Sequence, residues 1–97
     1  MPRPTKISAE EALSQLSGWR AAGNGLAIQK NFKFADFNAA FAFMTRAALH
    51  AEKHDHHPEW TNVYNRVDVT LSTHDAGGVT ALDIALAKFM DEAAKQI

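Results

Sequence analysis

The stretch Glu59–Thr73, EWTNVYNRVDVTLST, decides the fold, because it reads either as one long strand or as two strands folded on each other. One continuous strand puts Val63, Val67, Val69 and Leu71 to use but strands Trp60 and Tyr64 on the polar side. A tight turn centred on Asn65-Arg66 instead sets Trp60, Asn62 and Tyr64 on the same face as Leu71, Val69 and Val67, which makes that face almost wholly apolar. The hairpin is the better reading, with Trp60 and Tyr64 as core aromatics. Carried outward, its register sets His57 opposite His74.

Working back from the hairpin, Asp36 is a candidate N-cap, and Phe37, Phe41, Met44 and Ala48 recur at helical spacing, so a long helix is expected to about Lys53. Phe43 lies off that stripe, either as an isolated exposed aromatic or as part of a second contact surface such as a subunit interface. Before this helix, Trp19–Ala22 and Leu26–Phe34 read as two strands around Gly23-Asn24-Gly25. The second alternates with Leu26, Ile28, Phe32 and Phe34 on one face, and only Lys30 breaks the pattern. Ser8 and Glu11 have capping-box spacing, with Ile7 and Ala12 as a weak staple, so a first helix should run from there to near Gly18 with Leu13 and Leu16 buried. After the hairpin, Thr80 and Asp83 repeat that spacing, and Leu82, Leu86, Phe89, Ala93 and Ile97 continue a helical stripe to the end.

The order helix-strand-strand-helix-strand-strand-helix implies an α+β fold, an antiparallel four-stranded sheet with three helices packed on one face. Ninety-seven residues with 46% hydrophobic content fit a single domain over 1–97, with residues 1–6 expected to be flexible. A core of this size is modest, so an oligomer sharing apolar surface is an unsurprising route to stability. The net charge is −1 and the Lys and Arg residues are scattered, which argues against a nucleic-acid partner. No cysteine is present, so disulfides and thiolate chemistry are excluded. No apolar run approaches a membrane span, and a cytoplasmic location is the expectation.

Four of the five histidines fall between His50 and His57, in a segment ending His54-Asp55-His56-His57-Pro58-Glu59. Pro58 biases His57 toward extended backbone, so His56 and His57 are expected just past the end of the long helix. An isolated histidine pair at a helix end is ordinarily a solvated loop; the register that brings His74 alongside favours an acid/base cluster instead. Glu52, Asp55 and Glu59 are near enough in sequence to fix an imidazole tautomer. A metal site is the rival reading, since His50 and His54 are i,i+4 with His56 close by, but no recognised zinc spacing occurs. Asp83 reads as a helix-start residue, and Gly77-Gly78 alone are a weak phosphate signal.

Taken together, Glu52-Lys53-His54-Asp55-His56-His57-Pro58-Glu59-Trp60, Asn62-Val63-Tyr64-Asn65, Val69-Thr70-Leu71-Ser72-Thr73-His74-Asp75 and Gly78-Val79-Thr80 resemble the signature of the pterin-4a-carbinolamine dehydratase family. The resemblance implies a lyase that dehydrates 4a-hydroxytetrahydropterin to quinonoid dihydropterin, recycling the pterin used by aromatic amino-acid hydroxylases, with the pterin as substrate and neither cofactor nor metal. It implies catalytic roles for His56, His57 and His74, and places Glu52, Asp55, Pro58 and Asp83 around the pterin. Some members carry arginine just before that aspartate, where this chain has Leu82. The family commonly forms dimers and tetramers, and some animal members also bind a homeodomain transcription factor, so a homodimer or homotetramer is expected and a protein-interaction module is the alternative function.

Overall fold

A computed structural model describes residues 4–97, so the expectation of flexibility at residues 1–3 lies outside the described residues. The elements are α1 (Ala9–Leu13), β1 (Arg20–Ala22), β2 (Ala27–Lys33), α2 (Phe37–Lys53), β3 (Glu59–Val63), β4 (Arg66–Leu71) and α3 (Ala81–Lys95), with 3-10 turns at Gly23–Gly25 and His74–Ala76. The strands form one antiparallel sheet in the order β1-β2-β4-β3. This is the α+β order read from the sequence. The core is Ile28, Phe32, Val67, Val69 and Leu71 of the sheet against Phe43 of α2 and Leu86, Ala87 and Met90 of α3. On the opposite face, Arg20, Gln29, Asn31, Asp68 and Thr70 hydrogen-bond across the strands, so that side of the sheet is a polar ladder.

The β3–β4 hairpin forms, with a turn one residue earlier than expected. Val63 pairs with Arg66 and Trp60 with Val69, which leaves Tyr64 and Asn65 as the turn, Tyr64 at φ 51°. Asn65 is held from outside the hairpin: its carbonyl accepts from Phe34 N–H at 2.8 Å and its side-chain amide donates to Phe34 O at 2.9 Å. The resulting offset of two residues in pairing preserves which face each side chain occupies. Val67, Val69 and Leu71 are therefore buried as expected and Trp60 packs on the core, but Tyr64 is exposed because a turn residue has no facing layer.

The stripe on α2 is the main correction. Phe37 and Phe41 are 49% and 56% exposed, whereas Phe43 is completely buried along with Ala40, Ala47 and Ala51. The buried stripe has the same helical period as the expected one, but three of its members are alanines, which carry little hydropathy yet let α2 lie close against its neighbours. Phe43 is the one large side chain of that stripe, 4.7 Å from the Phe32 ring and 5.0 Å from that of Phe34, and Met44 alone of the expected stripe packs half-buried against the core. On α3 the buried set is Asp83, Ile84, Leu86, Ala87, Met90 and Ala93, leaving Leu82 and Phe89 half-buried and Ile97 exposed.

The ends of other elements shift for local reasons. Ser8 caps α1 by accepting from Glu11 N–H at 3.0 Å, but the helix stops at Leu13, where the Ser14 hydroxyl bonds back to Glu11 O. Leu13 and Leu16 are partly buried, and Ala9 and Ala12 do the close packing. Leu26 precedes β2 in the turn and is exposed. Lys30, the break in the alternation, faces the core side because Asp91 of α3 receives its ammonium at 2.8 Å and the Trp19 indole N–H at 3.0 Å. The ammonium also sits 5.0 Å from the Phe32 ring.

Candidate active site

The long helix delivers the first histidine through the way it ends. His56 N–H donates to Ala51 O at 3.0 Å and Asp55 N–H to Glu52 O at 3.2 Å, the paired bonds of a Schellman motif. Asp55 takes the left-handed position, φ 49°, that glycine more often fills. The reversal turns the chain off α2, so that His56 lies under the helix end and Pro58 carries His57 on toward β3. His56 is buried, 7% exposed, and His57 is exposed.

The other wall comes from the end of β4 and the turn beyond it. Thr73 N–H donates to Gly78 O at 2.7 Å, closing a short loop across its base, and Gly77 (φ 72°) turns the chain back toward α3. His74 and Asp75 stand on that loop. Asp55, His56, His57, Ser72, Thr73, His74 and Asp75 together line a cavity of about 220 Å³. The three histidines thus meet as expected, though by a different route: the paired register ends at Glu59 and Thr70 and, extended, would set position 57 opposite 72 rather than 74, while the Thr73–Gly78 loop brings His74 to the cavity.

Behind His56 lies a closed polar network. His56 Nε2 is 2.6 Å from Asp83 Oδ1; Asp83 Oδ2 accepts from the Thr73 hydroxyl at 2.8 Å and from Thr80 N–H at 2.9 Å. Thr73 and Thr80 hydroxyls are 2.7 Å apart, and all four residues are buried. Asp83 is fully buried at the first turn of α3, and its Oδ2 accepts from two donors. Thr80 and Asp83 do form the capping box read from the sequence.

The remaining positions singled out in the sequence fall around this centre. Glu52 Oε1 is 2.8 Å from His57 Nε2, an exposed pair that holds the ring loosely. Pro58 is half-buried and outside the cavity lining, so it shapes the chain rather than the wall. Leu82 sits beside Asp83, half-buried, and offers no charge. Thr73, Thr80, Ser72 and Asp75 escaped the sequence reading as site residues. The available signal was a charge inside the apolar run Ala81-Leu82-Asp83-Ile84, which required buried partners.

His50 and His54 belong to a separate cleft of about 300 Å³ with Arg46, Leu49, Lys53 and Phe89. Burial, then the neighbouring His54 and Lys53, hold the His50 pKa below its ordinary 6.5. Among the described residues no group of three or more histidine or carboxylate side chains could hold a metal ion. Among them, too, no helix is long and apolar enough to cross a membrane.

The sequence profile of the family described as Pterin 4 alpha carbinolamine dehydratase matches residues 2–93. A Bordetella avium protein provisionally named a pterin-4-alpha-carbinolamine dehydratase is 64% identical over 97% of this chain and 87% of its own length. A Rhizobium johnstonii protein with the same provisional name is 60% identical over 97% of this chain and 93% of its own. Among solved structures, a transcriptional coactivator/pterin dehydratase from Brucella melitensis superposes with a TM-score of 0.89 at 53% identity, covering 93% of this chain and 99% of that one. A pterin dehydratase-like protein described as a RuBisCO assembly factor in the alpha-carboxysome superposes at 0.69 with 25% identity, covering 82% of this chain and 93% of that one.

Proposed function

Since the chain belongs to the pterin-4-alpha-carbinolamine dehydratase family, we propose that it is itself a dehydratase acting on a 4a-hydroxytetrahydropterin. The observation that carries this reading is the convergence of His56, His57 and His74 on one small cavity, with His56 backed by the buried Asp83 carboxylate. Dehydration needs two proton transfers. The C4a–O bond breaks with its electron pair leaving on oxygen, an imidazolium supplies the proton that makes the leaving group water, and a base takes a proton from ring nitrogen as the new double bond forms. Two imidazoles in opposite protonation states suffice, with no electron transfer and no cofactor. Asp55, Ser72 and Asp75 offer polar groups around the same space for a nitrogen-rich ring. The quinonoid dihydropterin released is the form that a pterin-dependent aromatic amino-acid hydroxylase needs returned to reduction.

The test is stopped-flow turnover of freshly generated 4a-hydroxytetrahydropterin, with the uncatalysed rate subtracted. His57→Ala and His74→Ala should each lower turnover by roughly 100-fold or more with the fold intact. Turnover unchanged in both variants defeats the proposal.

A second reading concerns assembly. Phe37 and Phe41 project exposed from α2 with their rings 5.8 Å apart, an apolar patch that a second copy of this chain would cover as a dimer or tetramer. The interaction-module alternative would use the same patch.

A further inference from the structure

The directions of the hydrogen bonds behind His56 follow from counting hydrogens. Thr73 has one hydroxyl hydrogen, and it goes to Asp83 Oδ2, an acceptor at 2.8 Å. The 2.7 Å contact between the two threonine hydroxyls must then be donated by Thr80. Thr80 Oγ1 in turn accepts from Leu82 N–H at 3.2 Å. The chain of bonds therefore runs one way: Leu82 N–H to Thr80, Thr80 O–H to Thr73, Thr73 O–H to Asp83. Thr80 N–H adds a second donor on the same carboxylate oxygen. With Oδ2 occupied from two sides, Oδ1 is left for His56, and with Asp83 as an acceptor-only carboxylate the hydrogen of the 2.6 Å contact sits on His56 Nε2.

That polarity decides which edge of His56 does chemistry. A neutral imidazole with its hydrogen on Nε2 has its lone pair on Nδ1, the nitrogen that Asp83 does not occupy, and His56 lines the cavity. Resting on the dehydratase reading, we propose that Thr73 is a positioning residue: its hydroxyl, oriented by Thr80, holds Asp83 so that His56 keeps its proton on Nε2 and offers Nδ1 as the base. When Nδ1 takes the substrate's ring N–H proton, the imidazolium formed faces the Asp83 carboxylate. The groups around this ring are Asp83 from α3, Asp55 and His57 from its own segment, and His74 and Asp75 from the facing loop. The leaving oxygen is then served by His57 or His74 from the open side.

Thr73 suits the part because its backbone is pinned as well: its N–H donates to Gly78 O, and its C=O accepts from Ala76 and Gly77 N–H. The side chain has little freedom to seek another partner. Replacement by valine keeps the shape and removes both the bond to Asp83 and the acceptor for Thr80.

The experiment pairs kinetics with the ring nitrogens observed directly. In ¹⁵N spectra of histidine-labelled wild type, neutral His56 should show its hydrogen on Nε2, shielded from solvent exchange. Thr73→Val should give a mixture of tautomers and lower kcat by about 10-fold or more with KM held within about twofold, whereas Thr73→Ser should restore both. A wild-type His56 with its hydrogen on Nδ1 overturns the proposal whether or not the variant folds. So does a Thr73→Val protein whose His56 spectrum and kcat match wild type, even if it melts earlier, since that is a structural role only. Wild-type protein that turns over no 4a-hydroxytetrahydropterin defeats the dehydratase reading separately, and the Thr73 assignment as positioning residue for that reaction falls with it.

Discussion

His50 stacks on Phe89 with ring centres 4.4 Å apart and lies 4.3 Å from the ring of His54. Both contacts are compatible with a neutral ring, and a proton added there is resisted first by burial and then by the charges of His54 and Lys53. The folded chain therefore releases this proton at a lower pH than the unfolded chain does. Between the lowered value and 6.5 the unfolded state binds more protons, so stability falls as pH drops through that interval and is untouched by this ring above it. His50→Gln, which cannot charge, should lose less stability than wild type between about pH 7 and about pH 5. Urea midpoints at the two pH values measure it, and parallel losses in the two proteins would remove His50 from the account. The contrast with His56 is instructive. Six positions further along, the imidazole of His56 has the buried Asp83 side chain for a partner instead of stacked rings.

At the scale of elements, α2 shows most clearly what hydropathy patterns omit. Phe43→Ala should cost about 3–5 kcal/mol, because it empties a site between Phe32 and Phe34 that alanines at 40, 47 and 51 cannot refill. Phe41→Ala should cost less than about 1 kcal/mol in dilute, monomeric protein, since its ring is already in water. Chemical denaturation of the two variants at matched concentration checks the pair, and equal losses would restore the stripe the sequence favoured. The helix itself, its Asp36 cap and its end at Lys53 were all legible, because caps and period are local properties. Which side faces inward was not, since small residues are chosen for how near two backbones must come. The hairpin turn repeats the lesson: Asn65 is claimed by Phe34 from another part of the chain, so no rule internal to Glu59–Thr73 could fix the register. For the candidate site, the histidines were legible from their clustering. Asp83 read from its spacing only as a cap, and the family resemblance alone set it near the pterin, because its partners Thr73 and Thr80 are ordinary residues until the fold closes a network around them.

For the whole molecule, α3 links two features that do different work. Its first turn carries Asp83 into the histidine site, and about 12 Å further along the axis Asp91 receives Lys30 from β2 and the indole of Trp19. This second cluster ties the C-terminal half of α3 to the β1–β2 side of the sheet, where the domain's other long-range packing is thin: β1 is only three residues long and α1 only five. Asp91→Ala leaves the Trp19 indole N–H without its acceptor and the Lys30 ammonium with only the long 3.5 Å bond to Ser17 O, and should destabilise the fold by about 1–3 kcal/mol, toward the lower end because water reaches the pair. Turnover per folded molecule should stay near wild type, because none of the cavity-lining residues touches Asp91. His74→Ala should behave in the reverse way, since its exposed ring supports little of the core while lining the cavity. Thermal unfolding and dehydration kinetics on both variants make the comparison. If Asp91→Ala loses turnover in proportion to its stability well below its melting temperature, the two ends of α3 are coupled and the helix transmits strain to His56. If each variant loses only one property, the domain has separated what holds it together from what it does.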